Sequence, residues 1–350
     1  MKLRRIAAAA ALASLALAAA PGARAITINL INTGGVEQGT NAYTAFSAAA
    51  HFWSTVLTDD ATMNFNVGFR PLGGTVLGQA GSSAGLKTQT AWRDALLADA
   101  STALDTMATT HLASFSSTTV RLNTSVQKAL GLFTGSASAS DASITFNSDR
   151  PFDFDTRDGF ADVASDFVAV AVHEMGHALG FTSVVSSFTT NNSRPTNTDV
   201  FRYKNGAFDL TWDGDPYFSI DGGASQLFGR SGFSNGADGF QTSHWKEGAR
   251  VHDGSSCTVL TEAQIGVMDP TGGLCQQGIV TALDLAMFDA LGWNLSFDIL
   301  ANPTYQKFTS QILQDYLDVT AVPEPGSWAM LAAGLGFAGV ALRRRGVRGS

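Results

Sequence analysis

The sequence predicts one mixed α+β domain, because segments with the two-residue period of strands alternate with segments of helical spacing. Apolar and polar residues alternate, as in half-buried strands, at 26–32, 61–72 and 142–147. Apolar residues recur with the spacing of one helix face at 41–57, 88–108, 162–179 and 281–291. The order of strand, helix and strand, followed later by strand and helix, favours an α+β arrangement over an all-β fold.

The residues of each element support this assignment in chain order. The first helix follows the first strand and carries Phe46 and Trp53 on its apolar face. The second strand places alternate apolar side chains on one side, namely Met63, Phe65, Val67 and Phe69. The third helix has Ser165 as a candidate N-cap and ends before Gly180. Residues 181–241 are rich in Gly, Asp, Ser and Asn, which predicts loops with short strands.

Composition and charge exclude several classes of protein. The chain has 350 residues, of which 45% are apolar and 15% charged, so it can bury a sizeable core and is not a disordered or polytopic membrane protein. Many of the basic residues lie at the two ends, which leaves 14 basic against 29 acidic residues in the body. An acidic body repels phosphate backbones, and this argues against nucleic acid as a partner.

The N-terminus has the three parts of a secretory signal peptide. Residues 1–25 contain a basic start, an Ala- and Leu-rich run at 6–20, and small residues at Ala23 and Ala25. We therefore expect export and cleavage before Ile26. An uncleaved N-terminal anchor is the alternative, but the apolar run is short for a membrane span.

The C-terminus carries a second targeting segment, predicted at 319–350. Pro323, Glu324 and Pro325 precede an apolar run at 326–342 and then an arginine cluster at 343–345. These three parts resemble the PEP-CTERM sorting signal of Gram-negative bacteria. The resemblance implies a short transmembrane segment, transient anchoring in the inner membrane, and cleavage by an exosortase on delivery to the cell surface or the exterior. A plain single-pass anchor is the alternative.

A metal-binding motif lies in the third helix. His173 and His177 flank Glu174 in an HExxH pattern, so both imidazoles lie on one helix face, one turn apart. This spacing allows two histidines to bind one Zn²⁺, with the glutamate placed to activate water. The alternative is that the two histidines lie on the surface of a helix by chance and bind no metal.

A catalytic zinc needs a third ligand, and the sequence offers few candidates. After the motif, Gly180 follows where a metzincin protease turns its chain, but the position of the usual third histidine is Ser183. Later in the chain, His244 precedes a Trp, and a glutamate ligand at Glu247 or Glu262 would make the site a gluzincin.

The downstream motifs resemble the leishmanolysin-like branch of the metzincins. After HEMGHALGF come an insertion of about sixty residues, a distant Ser-His-Trp at His244, a Val-Met-Asp-Pro sequence at Met268, and a final helix ending in Leu-Gly. The resemblance spans about 141–294. It implies a zinc protease fold of two subdomains, about 26–182 and 183–318, within one catalytic domain at 26–318. It also implies His244 as the third ligand and Met268 as the Met-turn residue beneath the zinc. An ordinary loop histidine and a plain core methionine are the alternatives.

Two further features bear on this resemblance. Zymogens of the leishmanolysin kind block zinc with a propeptide cysteine, but no cysteine precedes Cys257, so we expect no such switch. In an exported chain Cys257 and Cys275 suggest one disulfide, while free thiols or a metal site remain open. Asp284 resembles an acidic residue that braces the domain in metzincins, and a helix-capping role explains it equally well.

Other polar residues give weaker signals. Two aspartate runs, one at 153–158 and one at 213–221, have oxygen ligands at a spacing that can bind Ca²⁺, although solvated turns are the preferred interpretation. His51 and His111 have no partners nearby in sequence and are interpreted as structural residues.

The sequence thus predicts an exported zinc metalloendopeptidase that acts on protein or peptide substrates, with one catalytic zinc and Glu174 as general base. Its membrane contact would be limited to the sorting tail. A catalytically inactive surface or matrix protein that keeps the metzincin fold is the main alternative, and intact Glu174 argues against it. A carbohydrate-binding surface protein ranks last, because such a protein has no need of HExxH.

Overall fold

A computed structural model describes residues 25–159, 161, 163–248, 264–274 and 276–321. The α-helices of this part are α1 (Asn41–Val56), α2 (Gln89–Asp99), α3 (Ala103–Thr110), α4 (Thr124–Ala129), α5 (Phe167–Leu179), α6 (Ala282–Leu291) and α7 (Thr309–Thr320). Its strands in the first half are β1 (Thr27–Asn32), β2 (Thr62–Arg70), β3 (Gly78–Ser82), β4 (Ala84–Thr88), β5 (Thr119–Asn123), β6 (Ala142–Asn147), β7 (Phe152–Asp153) and β8 (Ser165–Asp166). The later strands are β9 (Arg202–Lys204), β10 (Ala207–Phe208), β11 (Tyr217–Phe218), β12 (Ile279–Thr281) and β13 (Gln306–Phe308). This content confirms the mixed α+β class.

The largest sheet of the described residues has the strand order β1-β2-β6-β3. The first three strands run parallel, and β3 pairs antiparallel with β6 at one edge. Alternate side chains of β2 are fully buried, as its period-two pattern predicts: Met63, Phe65 and Val67. Among the described residues β3 pairs only with β6, so its outer edge has no strand partner there.

Helices α1 and α5 pack together and join the sheet to the core. The ring of Phe46 on α1 lies 4.8 Å from Phe146 on β6 and 5.3 Å from Phe167 on α5, measured between centroids. Trp53 donates from its indole nitrogen to the carbonyl of Val172 at 3.2 Å. These aromatic contacts fix α5 against the sheet over much of its length.

Helix α5 begins later than the sequence pattern indicates. It starts at Phe167 rather than at 162, and its N-cap is Asp166, whose side chain accepts from the Ala169 amide at 3.0 Å. The predicted cap, Ser165, instead belongs to the short strand β8. Gly180 ends the helix with φ of 133°, a conformation that favours glycine.

The single helix predicted at 88–108 is wrong, because the chain breaks it into α2 and α3. Thr102 caps α3, accepting from the amide of Asp105, while the Asp105 carboxylate accepts from the Thr102 amide. This reciprocal capping box competes with continuation of α2 through Ala100 and Ser101. Strands β3, β4 and β5 and helices α4 and α7 were not predicted.

The last part of the described chain packs back onto the first. Helix α7 contacts α1 and α5 and buries Ile312 and Leu313. Thr309 at its start donates to Asp166, the N-cap of α5. Buried side chains from both sides of residue 182 join one apolar cluster.

In the residues that the structure describes, no helix is both long enough and apolar enough to span a membrane. The predicted signal peptide, the apolar run of the sorting tail and the Cys257–Cys275 disulfide all fall outside the described residues.

Candidate metal centre

Three histidines that are distant in sequence meet in the structure. The Nε2 atom of His177 lies 3.1 Å from Nε2 of His173 and 3.1 Å from Nε2 of His244. The remaining pair, His173 and His244, is separated by 3.2 Å. Among the described residues, this is the group of three or more His, Cys, Asp or Glu side chains that could hold a metal ion. The structure therefore brings together the three ligands that the sequence predicted.

Backbone carbonyls orient each ring of the triad. The Nδ1 atom of His173 lies 2.7 Å from the carbonyl of Val267, and that of His177 lies 2.7 Å from the carbonyl of Phe181. Nδ1 of His244 lies 3.0 Å from the carbonyl of Gln241. Because a carbonyl only accepts, each Nδ1 carries the proton and donates. Each Nε2 then points a lone pair at the other two.

Burial keeps these imidazoles neutral. Loss of solvent lowers the pKa of His173, lowers that of His177 well below its usual value, and lowers that of His244 to about 3. Neutral rings with facing lone pairs repel one another unless a cation lies between them. The three Nε2 atoms could therefore hold a metal ion between them.

The donor set fits zinc. Neutral histidine Nε2 atoms are preferred Zn²⁺ ligands, and a tetrahedral ion with bonds of about 2.0–2.1 Å separates its nitrogen ligands by about 3.4 Å. The observed separations of 3.1–3.2 Å are close to that value. The carbonyl partners on Nδ1 are also typical of metal-binding histidines.

Met268, the predicted Met-turn residue, packs against α5 at Gly176, between the two histidines of the motif. It is fully buried, and a Cβ atom added at Gly176 would overlap its sulfur. The backbone carbonyl of Val267, the preceding residue, holds the ring of His173. The turn at Val267 and Met268 therefore packs against α5 and also orients the ring of His173.

Asp284 connects that turn to the third histidine. Its buried carboxylate accepts from the amides of Val267 at 2.9 Å and Met268 at 3.2 Å. It also accepts from the indole nitrogen of Trp245, the neighbour of His244, at 2.8 Å. Asp284 caps α6 as well, in a capping box with Thr281. The sequence left bracing and capping open, and the structure shows that this side chain does both.

Glu174 lies beside the triad in a largely buried position. Its side chain lines the same cavity as the three histidines, and 7% of the residue is exposed. Burial raises the pKa of this carboxyl to about 8, and a hydrogen bond from the Ala80 backbone opposes the rise. A cation held by the histidines would favour the ionised form.

The site opens into a cavity of about 750 Å³. Its lining includes residues of β3 and the segment that follows Met268, from Asp269 to Gly273. This volume lies within the range of ligand-binding clefts, about 300–1,000 Å³. An extended chain could lie along the open edge of β3.

Several other candidates do not join the centre. Glu247 accepts from Thr271 at 2.7 Å and is not part of the histidine group, while Glu262 lies outside the described residues. His51 packs 6.0 Å from the ring of Tyr316. The gluzincin alternative therefore has no support in the described residues.

The aspartate runs have partners of their own. Asp155 pairs with Arg157 at 2.7 Å, and Asp215 pairs with Lys246 at 2.7 Å. Asp221 accepts from Ser219 at 2.6 Å and from Ser225. These contacts are typical of polar turns, and the calcium site stays a prediction.

Sequence reasoning missed the residues that secure the end of α5. Ser125 donates to the carbonyl of Ala178 at 2.7 Å, and Asn123 donates to the carbonyl of His177 at 3.3 Å. Asn197 and Thr198 donate to the carbonyl of Gly180, the latter at 2.9 Å. No local pattern marks them, because each acts across 17 to 54 positions of sequence.

The comparisons with known proteins identify one segment. The family model of the PEP-CTERM protein-sorting motif matches residues 321–345. This match confirms the predicted sorting signal, and it implies export, transient anchoring by the tail and processing by an exosortase. No curated protein and no solved structure matches the chain.

Proposed function

We propose that this chain is an exported zinc metalloendopeptidase of the metzincin type, similar to the leishmanolysin branch. The observation that carries the proposal is the convergence of the Nε2 atoms of three histidines, all within 3.2 Å of one another, in a cavity that Glu174 also lines. A purely structural histidine cluster does not need an adjacent carboxylate in an open cavity.

The chain's own residues supply most of the chemistry. The three histidines would hold a zinc ion, which when bound would supply Lewis acidity to the water and to the substrate carbonyl. The Glu174 carboxylate accepts the proton of the attacking water and then delivers it to the leaving nitrogen. The open edge of β3 hydrogen-bonds the backbone of an extended peptide, which positions its carbonyl over the triad.

The test is hydrolysis of casein by the purified protein and by a Glu174→Ala variant, with zinc content measured for both. We expect cleavage by the parent and a loss of at least a hundredfold in the variant at unchanged zinc content, since a general base contributes about 10²–10⁴. Equal activity in the two proteins would contradict the proposal.

The sorting tail favours a second candidate, an inactive surface or matrix protein that retains the fold. Folded, zinc-loaded parent protein that cleaves neither casein nor a mixed peptide library would favour this candidate. For either function we propose the surface or exterior of a Gram-negative cell as the final location.

A further inference from the structure

Two arginines in the cavity wall have no partner, although most other basic side chains do. Lys128, for example, pairs with Asp141 at 2.6 Å, and Arg202 donates to the carbonyl of Ser234 at 3.0 Å. Arg121 and Arg150 form no side-chain hydrogen bond or ion pair in the part of the chain that the structure describes. Both line the cavity of the candidate metal centre.

Arg150 lies at the end of the cavity near the start of α5. It follows β6, and the carbonyl of the next residue, Pro151, accepts from the amide of Ser165, just before α5, at 3.2 Å. The side chain is half-buried, and its Nε atom is buried without a hydrogen-bond partner. A buried donor without a partner costs about 1–3 kcal/mol, so this group is poised to receive an acceptor.

Arg121 lies at the other end, near the end of α5. It occupies an exposed position of β5 between the buried residues Val120 and Leu122. Two residues further, Asn123 donates to the carbonyl of His177. The two arginines thus flank the triad, one toward each end of the helix that carries it.

The acidic residues of the cavity do not neutralise these arginines. Asp166 accepts from Thr309 and from the amides of Ala169 and Gly278. Asp269 is buried and accepts from the Gly266 amide at 3.4 Å. Neither these two aspartates nor Glu174 forms an ion pair with an arginine in the part of the chain that the structure describes, so both guanidinium groups are available to a carboxylate of a bound peptide.

The separation suits an extended peptide. From Asp166 to Gly180 the helix rises about 21 Å, at 1.5 Å per residue. An extended chain at about 3.3 Å per residue covers this distance with roughly six residues. His173 lies midway, so about three residues of an extended peptide on each side of a peptide bond held over the triad span the length of the helix.

We propose that Arg150 and Arg121 bind acidic side chains of the peptide substrate, about three residues from the scissile bond on either side. This inference rests on the proposed protease function. A guanidinium binds a carboxylate through two parallel hydrogen bonds, which makes arginine the suitable residue for such recognition.

The experiment compares peptides that differ by Glu or Gln at single positions around a cleavage site identified in a peptide library. We expect the parent to prefer Glu at one position on each side, by about tenfold or more in kcat/KM. Arg150→Gln removes the preference on one side only, and Arg121→Gln removes it on the other. Arg150→Lys keeps the charge without the bidentate geometry and retains part of the preference.

The matched control is Arg70→Gln, because Arg70 is exposed, unpaired among the described residues and not part of the cavity. We expect this variant to keep both preferences. Equal kcat/KM for Glu and Gln peptides at every position in the parent would overturn the proposal, as would a Glu preference that persists in both arginine variants.

A binding measurement separates this inference from the protease function. Fluorescence anisotropy is recorded on Glu174→Ala protein, with and without Arg150→Gln, for two labelled peptides that need no known cleavage site, one with Glu and one with Gln at alternate positions. Glu-dependent binding that the arginine substitution abolishes supports the inference, even if the parent hydrolyses nothing. Equal affinity for the Glu and Gln peptides contradicts the inference, even if casein is cleaved.

Discussion

At the scale of single residues, the candidate metal centre requires a glycine at position 176, because a larger residue does not fit there. Gly176 lies on α5 between the two histidines of the motif, directly against Met268. Only a glycine lets the methionine sulfur approach the helix backbone at this point. The turn that carries Met268 and the helix that carries His173 and His177 are therefore in close contact at Gly176.

We expect Gly176→Ala to lower the free energy of unfolding by about 1–3 kcal/mol, because the new methyl group overlaps Met268 in a packed core. The corresponding fall in Tm is several degrees, and differential scanning calorimetry measures it. Gly81→Ala on β3 is the control, since a Cβ atom there meets nothing within 4 Å. A similar loss in both variants would argue against the specific contact.

At the scale of elements, helix α5 is held at its start by the last helix of the described chain. The Thr309 hydroxyl on α7 donates to Asp166, which also caps α5. Burial raises the pKa of Asp166 to about 6, and these donors oppose the rise. The capping carboxylate therefore depends on a partner 143 positions away.

We expect Thr309→Val to destabilise the fold by about 1–3 kcal/mol, because the nearly isosteric side chain leaves a buried carboxylate oxygen without this donor. Urea denaturation measures the change. Thr320→Val, at the exposed end of the same helix, is expected to alter stability by less than about 0.5 kcal/mol. Equal effects would show that the Asp166 contact contributes nothing.

The contact between α3 and α6 predicts a dependence on pH. Burial, and next the Asp105 carboxylate, raise the pKa of Asp289 on α6 to about 8. The unfolded chain loses this proton near pH 4, while the folded chain keeps it until about pH 8. The contribution of Asp289 to stability therefore falls as pH rises between these values, by up to about 1.4 kcal/mol per pH unit.

We expect Asp289→Asn to remove that part of the pH dependence, so that the variant gains stability relative to the parent as pH rises from 5 to 8. Urea denaturation at the two pH values measures it, and Asp60→Asn, at an exposed position, is the control. A constant difference between parent and Asp289→Asn across this range would contradict the argument.

The elements also show what sequence patterns resolve. Strand β6 matches its prediction at both ends, and the predicted ends of α6 are within one residue, because their apolar patterns coincide with turn or capping residues. The break between α2 and α3 was missed, since the capping box at Thr102 is a local signal inside a continuous apolar period. Edge strand β3 has a weak pattern, GQAGS, and only its partner β6 defines it.

The candidate site shows the same difference between residues that a local pattern marks and residues that depend on distant parts of the chain. The HExxH spacing placed His173 and His177 from local geometry alone, whereas His244 required the resemblance of distant motifs. Arg121 and Arg150 gave no signal, because nothing in the sequence shows which arginines lack a partner in the fold.

At the scale of the whole molecule, the three histidines of the proposed zinc site come from two distant parts of the chain, so metal binding is expected to stabilise the fold. A ligand present at about a thousandfold above its Kd adds about 4 kcal/mol, which corresponds to roughly 10 °C in Tm. We expect chelation to lower Tm by this order in the parent and in Glu174→Ala. In His244→Ala the shift is expected to shrink strongly, and a full shift there would exclude His244 as a ligand.

The position of His244 also has a consequence for timing. The first two ligands lie on one helix, but the third lies 67 positions after His177 and becomes available only when the intervening loops and short strands have folded. The sorting motif implies export, and a chain that crosses the membrane unfolded has yet to fold this segment when it emerges. Under the proposed function the centre is completed last, after translocation, so chain order itself keeps the nascent protease inert inside the cell that makes it.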